Sequence, residues 1–105
     1  MHSQSEELKQ EMVRLVRARL DVLSTKSFDE LATLPCQSSE EIVQQGSKFT
    51  LSIWHDVLDS QDHRIVVQVY KPGRLSIGRM YADGFVVNRN NEKRSLTQQE
   101  WAPFS

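Results

Sequence analysis

Apolar residues recur every three or four positions in the first quarter of the chain, which predicts an amphipathic helix from Ser5 to Leu23. Ser3 and Glu6 have the spacing of a capping box, in which two side chains satisfy the first free amide groups of a helix. The predicted buried stripe consists of Leu8, Met12, Leu15, Val16, Leu20 and Leu23. Such a stripe is expected to pack against the rest of the core.

A second, shorter helix is predicted directly after the first one. Ser27 and Glu30 repeat the capping-box spacing, and Pro35 disfavours helical geometry in the residue before it. Its predicted buried residues are Phe28, Leu31 and Leu34. Cys36 follows this stop and is the single cysteine, so no intramolecular disulfide can form. We expect an inert thiol and a reducing compartment, with the cytoplasm as the predicted location.

From Glu40 onward apolar and polar residues alternate, which predicts strands instead of helices. The predicted strands cover residues 42–43, 48–58, 64–71, 75–82, 85–89 and, as a last short strand, 93–96. Asp83-Gly84 has the composition of a two-residue hairpin turn, and Pro72-Gly73 and Asn90-Asn91 are typical of further turns. Because every link is short, the strands are expected to form an antiparallel meander.

The C-terminal residues carry the signals of one more helical turn. Thr97 and Glu100 form a third capping box, and Leu96 and Trp101 have the spacing of a hydrophobic staple. We expect Trp101 and Phe104 to pack on the sheet.

These elements predict a single α+β domain over residues 1–105, with a long and a short helix on one face of a five- to six-stranded antiparallel meander sheet. The element order resembles the cystatin-like and nuclear-transport-factor-like rolls, in which a long helix lies in a curved sheet. This resemblance is one of architecture, and fold alone does not imply a function.

Side-chain alternation also predicts what the second face of the sheet carries. The apolar residues of 49–57 and 65–69 share the core face only if the loop around Asp59-Ser60-Gln61 has an odd number of residues. The opposite face then carries Trp54, Val66, Tyr70 and Val86, with Arg79 and Tyr81 beside them if Asp83-Gly84 is a turn. Aromatic residues with an arginine are typical of interfaces, so this face is predicted to form a homodimer. Alternatively, these residues are scattered and half covered by the C-terminal segment.

Two candidate sites for chemistry depend on how the strands pair. His55 and His63 are expected to share a face, opposite each other or offset by one step, beside a turn with three aspartates. Their spacing matches no standard metal signature, so we predict no metal site. In the other register of the later strands, His55, Arg79 and Tyr81 cluster between helix and sheet and could bind a small carboxylate or phosphate.

Charge and composition narrow the function classes. Residues 1–63 hold 6 basic and 11 acidic residues, whereas residues 64–105 hold 7 basic and 3 acidic ones. This asymmetry favours mutual attraction of the two halves over nucleic-acid binding, which needs many clustered basic residues. No apolar run is long enough to span a membrane, and the polar, acidic start predicts no secretory signal. The sequence has no catalytic or cofactor motif. We therefore expect a non-catalytic module that contacts other proteins and needs no cofactor.

Overall fold

The computed structural model describes residues 4–73 and 78–104 of the chain. Helices α1 (Gln4–Ser24) and α2 (Phe28–Ala32) precede a five-stranded antiparallel sheet whose spatial order is the order in the chain. The strands are β1 (Gln37–Gln44), β2 (Ser47–Val57), β3 (His63–Lys71), β4 (Arg79–Val87) and β5 (Lys93–Arg94), followed by α3 (Gln98–Trp101) and a 3-10 turn (Ala102–Phe104). The predicted α+β meander is confirmed.

Helix α1 presents the predicted stripe to the sheet. Met12, Val16 and Leu23 are buried, and the other members of the stripe pack against the same core. At one side of the sheet, Arg19 donates a hydrogen bond to the carboxylate of Glu40 and so ties α1 to β1. The Ser3–Glu6 capping box lies outside the described residues.

Helix α2 has the predicted capping box, in which Ser27 and Glu30 satisfy each other's backbone amides. The next amide, Phe28 N–H, donates to Asn91 Oδ1 at 2.6 Å. Asn91 lies in the turn between β4 and β5 with φ of 65°, a conformation that asparagine tolerates well. A backbone donor at the start of α2 is therefore satisfied by a side chain that lies 63 residues later in the chain.

The first two hairpins set the register of the sheet. Gln45 and Gly46 form a tight turn with φ of 51° and 79°. Strand β1, which precedes this turn, has eight residues and is longer than the two-residue strand predicted. Five residues, 58–62, separate the Val57–His63 pair, which confirms the predicted odd loop. Consequently Phe49, Leu51 and Ile53 share the buried, helix-side face of the sheet with Ile65, Val67 and Val69.

The hairpin predicted at Asp83-Gly84 is wrong, because both residues lie inside the continuous strand β4. A Cβ on Gly84 would lie 2.2 Å from the carbonyl oxygen of Ile65, so glycine is needed for the close approach of β3. Asp83 Oδ1 accepts a hydrogen bond from the Gly84 amide at 2.8 Å. With no turn there, Arg79 and Tyr81 lie on the helix-side face. Residues 74–77, where the strand predicted over 75–82 begins, lie outside the described residues.

A second apolar cluster lies on the other face of the sheet. Val66, Val86 and Leu96 are buried there, and Trp54, Leu58, Ala82, Trp101 and Phe104 pack around them. Trp101 and Phe104 belong to the C-terminal segment, defined here as residues 97–104, which begins with the predicted Thr97–Glu100 capping box. We call this part of the outer face the covered half.

Candidate functional site

A cleft of about 740 Å³ opens at the end of β2, between the C-terminal segment and the link from α2 to β1. It exists because β1 pairs with β2 only from Gln37, opposite Trp54, while β2 continues to Val57. One further bond joins His55 N–H to the Cys36 carbonyl at 3.0 Å. The chain before Cys36 forms bends instead of a strand, so the ladder does not extend past this bond. The last residues of β2 therefore form an open edge.

His55 and His63 form a direct hydrogen-bonded pair behind this edge. His55 Nδ1 lies 2.9 Å from the carbonyl oxygen of Leu34, and His55 Nε2 lies 2.6 Å from His63 Nδ1. Since a carbonyl only accepts, Nδ1 of His55 carries the hydrogen, and its Nε2 accepts from His63 Nδ1–H. Both nitrogens of His55 are thereby committed. The prediction that the two histidines share a face, offset by one step, is confirmed.

The environment of His63 favours its neutral form. The ring of Phe28 meets His63 edge-on with centroids 4.7 Å apart, and the two imidazoles stack with centroids 4.9 Å apart. Burial lowers the pKa of His63, the positive charge of a protonated His55 lowers it further, and Asp62 opposes both effects. A metal ion between the rings would need about 2.0–2.1 Å to each nitrogen, which a 2.6 Å separation cannot provide.

Arg64 joins the sheet to the C-terminal segment beside the cleft. Its Nε donates to Asp56 Oδ1 at 2.8 Å, its Nη2 donates to Asp56 Oδ2, and its Nη1 donates to the carbonyl oxygen of Glu100 at 2.6 Å. The residue is only 8% exposed, and its guanidinium lies 5.1 Å from the centroid of the Phe104 ring. The two hydrogen bonds to the Asp56 carboxylate balance the charge of the largely buried Arg64 guanidinium.

Apolar and aromatic side chains form most of the remaining cleft wall. The rings of Trp54 and Phe104 meet edge to face, with centroids 6.3 Å apart and planes inclined by 70°. Leu34 and Val57 contribute aliphatic surface, and Cys36 is exposed at the rim. The cleft thus combines a mainly apolar lining with few polar groups, which is the composition of small-molecule sites.

The structure does not assemble the predicted pocket of His55, Arg79 and Tyr81. The strand pairs align His55 with Ile65 and Phe85, whereas Arg79 lies opposite Lys71, six residues farther along β3. At about 3.3 Å per residue, this places Arg79 roughly 20 Å from the row of His55. Tyr81 packs against the helix-side core, and Arg79 is exposed. Arg79 and Tyr81 do share the helix-side face with His55, as in the alternative interpretation. The pairing of Lys71 with Arg79 leaves seven residues between these two positions, however, so the three side chains lie at different places along the sheet.

The predicted interface residues divide between two environments. Val66 and Val86 are buried beneath the C-terminal segment, and Trp54 is half-buried beside them. Tyr70 is 37% exposed and lies directly opposite Met80, which is 55% exposed. These two lie in what we call the open half of the outer face, with Ser39, Glu41, Val43, Lys48, Thr50, Ser52 and Gln68.

Cys36, Arg64 and Phe104 are site residues that the sequence interpretation missed. An odd loop puts Asp56 and Arg64 on the same face of the sheet, and the observed five-residue loop places them directly opposite each other. No sequence signal shows that Pro35 and the C-terminal segment together leave a cleft, since that depends on where the segment docks.

Within residues 4–73 and 78–104, no three histidine, cysteine or acidic side chains are grouped so that they could hold a metal ion. Among the same residues, no helix combines the length and the apolarity needed to cross a membrane. No protein-family model, curated protein or solved structure matches the chain. The resemblance to cystatin-like and nuclear-transport-factor-like rolls therefore stays a prediction, and function has to be argued from the surface chemistry.

Proposed function

We propose that this protein is a protein–protein interaction module that forms a homodimer through the open half of its outer sheet face. The observation that carries the proposal is the pair Tyr70 and Met80, two large apolar side chains that are exposed side by side. None of the described residues forms an apolar cluster over them, in contrast to the covered half. A reducing compartment such as the cytoplasm suits a chain whose one cysteine is exposed.

The charge on the open half suits contact with a second copy. Among the residues that the structure describes, its charged members are Glu41 and Lys48, which lie at its margin with Nζ and Oε1 3.6 Å apart. The centre holds hydroxyl and amide groups, for which a two-fold partner offers both donors and acceptors. Two copies can therefore meet face to face without net repulsion.

The exposed edge strand β1 is a poorer route to a dimer. Two copies of β1 could pair in antiparallel fashion with their helix-side faces on the same side. If most of the strand is used, Glu40 then lies opposite Glu40 of the second copy, or Glu41 lies opposite Glu41. Like charges directly opposite each other destabilise strand pairing, and such charges are a usual protection of edge strands. This leaves the sheet face as the surface for self-association.

The size of the open half sets the expected strength. Four strands spaced about 4.8 Å apart, over about five residues each, give a flat area of roughly 300 Å². This is below the roughly 800 Å² per partner of standard stable interfaces, so we expect a weak dimer with a Kd of about 10–100 μM.

Sedimentation velocity from about 1 to 500 μM protein tests the proposal. We expect Met80→Arg to weaken the dimer at least about tenfold, because it replaces one of the two large apolar contact side chains with a charge that would lose its hydration. The matched control is Val22→Arg on α1, where the native side chain is 57% exposed, and it should leave the dimer unchanged. A wild-type protein that is monomeric throughout this range, or a dimer that Met80→Arg leaves intact, refutes the proposal.

A further inference from the structure

We infer that the cleft at the end of β2 binds a small, uncharged aromatic molecule. Its volume of about 740 Å³ lies within the roughly 300–1,000 Å³ of ordinary small-molecule sites. The cleft adjoins the covered half of the sheet, and Tyr70 and Met80 of the open half do not line it. Binding there is therefore independent of the proposed dimer.

The electrostatics of the wall select against charge on the ligand. Among the described residues of the lining, only Asp56 and Arg64 are formally charged, and two hydrogen bonds join their charged groups. Arg64 makes a third bond to the Glu100 carbonyl. Because the pair is already neutralised, a charged ligand would lose hydration without gaining an ionic partner.

The ring systems of the wall favour an aromatic ligand. Trp54 and Phe104 present two planes inclined by 70°, so one flat molecule can stack on one ring and meet the edge of the other. His55 offers no free ring nitrogen, because Leu34 O and His63 occupy both. The imidazole therefore adds surface and no acid–base function, so the site is one for binding.

Amide chemical shifts of ¹⁵N-labelled protein test this with three probes that share an indole ring. Tryptophol is uncharged, indole-3-acetate is an anion and tryptamine is a cation. We expect tryptophol to bind with a Kd of about 1 mM, a weak affinity that suits its small size, and each charged probe to bind about fivefold more weakly. The shifts should centre on Cys36, Gln37 and the indole N–H of Trp54.

Two variants with the same new side chain provide the control. Cys36→Trp should fill the cleft from its exposed rim and weaken tryptophol binding at least about tenfold, whereas Val22→Trp on α1 should have no effect. Repeating the titration in Met80→Arg separates this result from that of the dimer. Full affinity in Cys36→Trp, tighter binding of either charged probe, or shifts scattered outside the cleft would overturn the inference.

Discussion

The two halves of the outer sheet face are formed by the same strands but differ in burial. In the covered half, Val66 and Val86 are buried by the C-terminal segment, and Trp54 is partly buried with them. In the open half, the neighbouring positions on the same strands are Gln68, Tyr70 and Met80, which remain partly or largely exposed. One short segment thus divides a continuous surface into a second core and a free face.

In the covered half, polar anchors accompany the apolar contact. Arg64 holds the segment by the Glu100 carbonyl, and Arg94 of β5 holds the Glu100 carboxylate at 2.7 and 2.8 Å. Thr97 caps the helical turn that carries Trp101. The apolar residues of the covered half supply the favourable burial, while these bonds fix the place of the segment.

The largest expected effect contrasts one glycine from each half. Gly84→Ala should lower the free energy of unfolding by about 3 kcal/mol, because the new methyl group would lie 2.2 Å from the Ile65 carbonyl oxygen. For Gly78→Ala, the three atoms nearest to the new methyl group all belong to the ring of Tyr70, which can rotate away, so we expect a loss of less than about 1 kcal/mol. Urea unfolding measures both, and equal losses would contradict this account of Gly84.

Gly84 also illustrates how much the sequence could predict. The helix stripe, the capping boxes at Ser27 and Thr97 and the odd loop after Val57 are local patterns, and the structure confirms them. Asp83-Gly84 is an equally local signal for a turn, but here the glycine serves a contact with another strand. Local composition cannot distinguish these two uses.

For a related reason, the sequence did not show which part of the outer face is covered and which is open. The staple spacing of Leu96 and Trp101 predicted that the C-terminal residues pack on the sheet, and both belong to the outer-face cluster. One of the two interpretations let the C-terminal segment cover the outer-face residues in part, but the staple did not tell which of these residues it would cover. That choice depends on Arg64 and Asp56 meeting across β2 and β3, and the cleft is what remains beside them.

The second prediction removes the anchor of the covered half. Arg64→Met keeps most of the side-chain volume but leaves Asp56 and the Glu100 carbonyl without their partner, so we expect a loss of about 2 kcal/mol in urea unfolding. The control is Arg14→Met, since Arg14 makes a 3.0 Å ion pair with Glu11 but is itself 66% exposed. It should cost less than about 0.5 kcal/mol. A similar small loss in both variants would show that the C-terminal segment does not need Arg64.

The smallest effect concerns the pH dependence of the same anchor. The hydrogen bonds from Arg94 and from the Thr97 amide lower the pKa of Glu100 from 4.5 to about 2. A carboxylate with a lowered pKa in the folded state stabilises the protein above its unfolded value, and this contribution is lost as the pH falls from about 4.5 to 2. We expect Glu100→Gln, which can still cap the helical turn, to reduce the loss of stability over that range by about 1 kcal/mol. Glu41→Gln, at the margin of the open half, should leave the pH profile close to that of the wild type. An unchanged profile in Glu100→Gln would place the acid sensitivity of the protein elsewhere and would leave the covered half held by Arg64 and apolar contact alone.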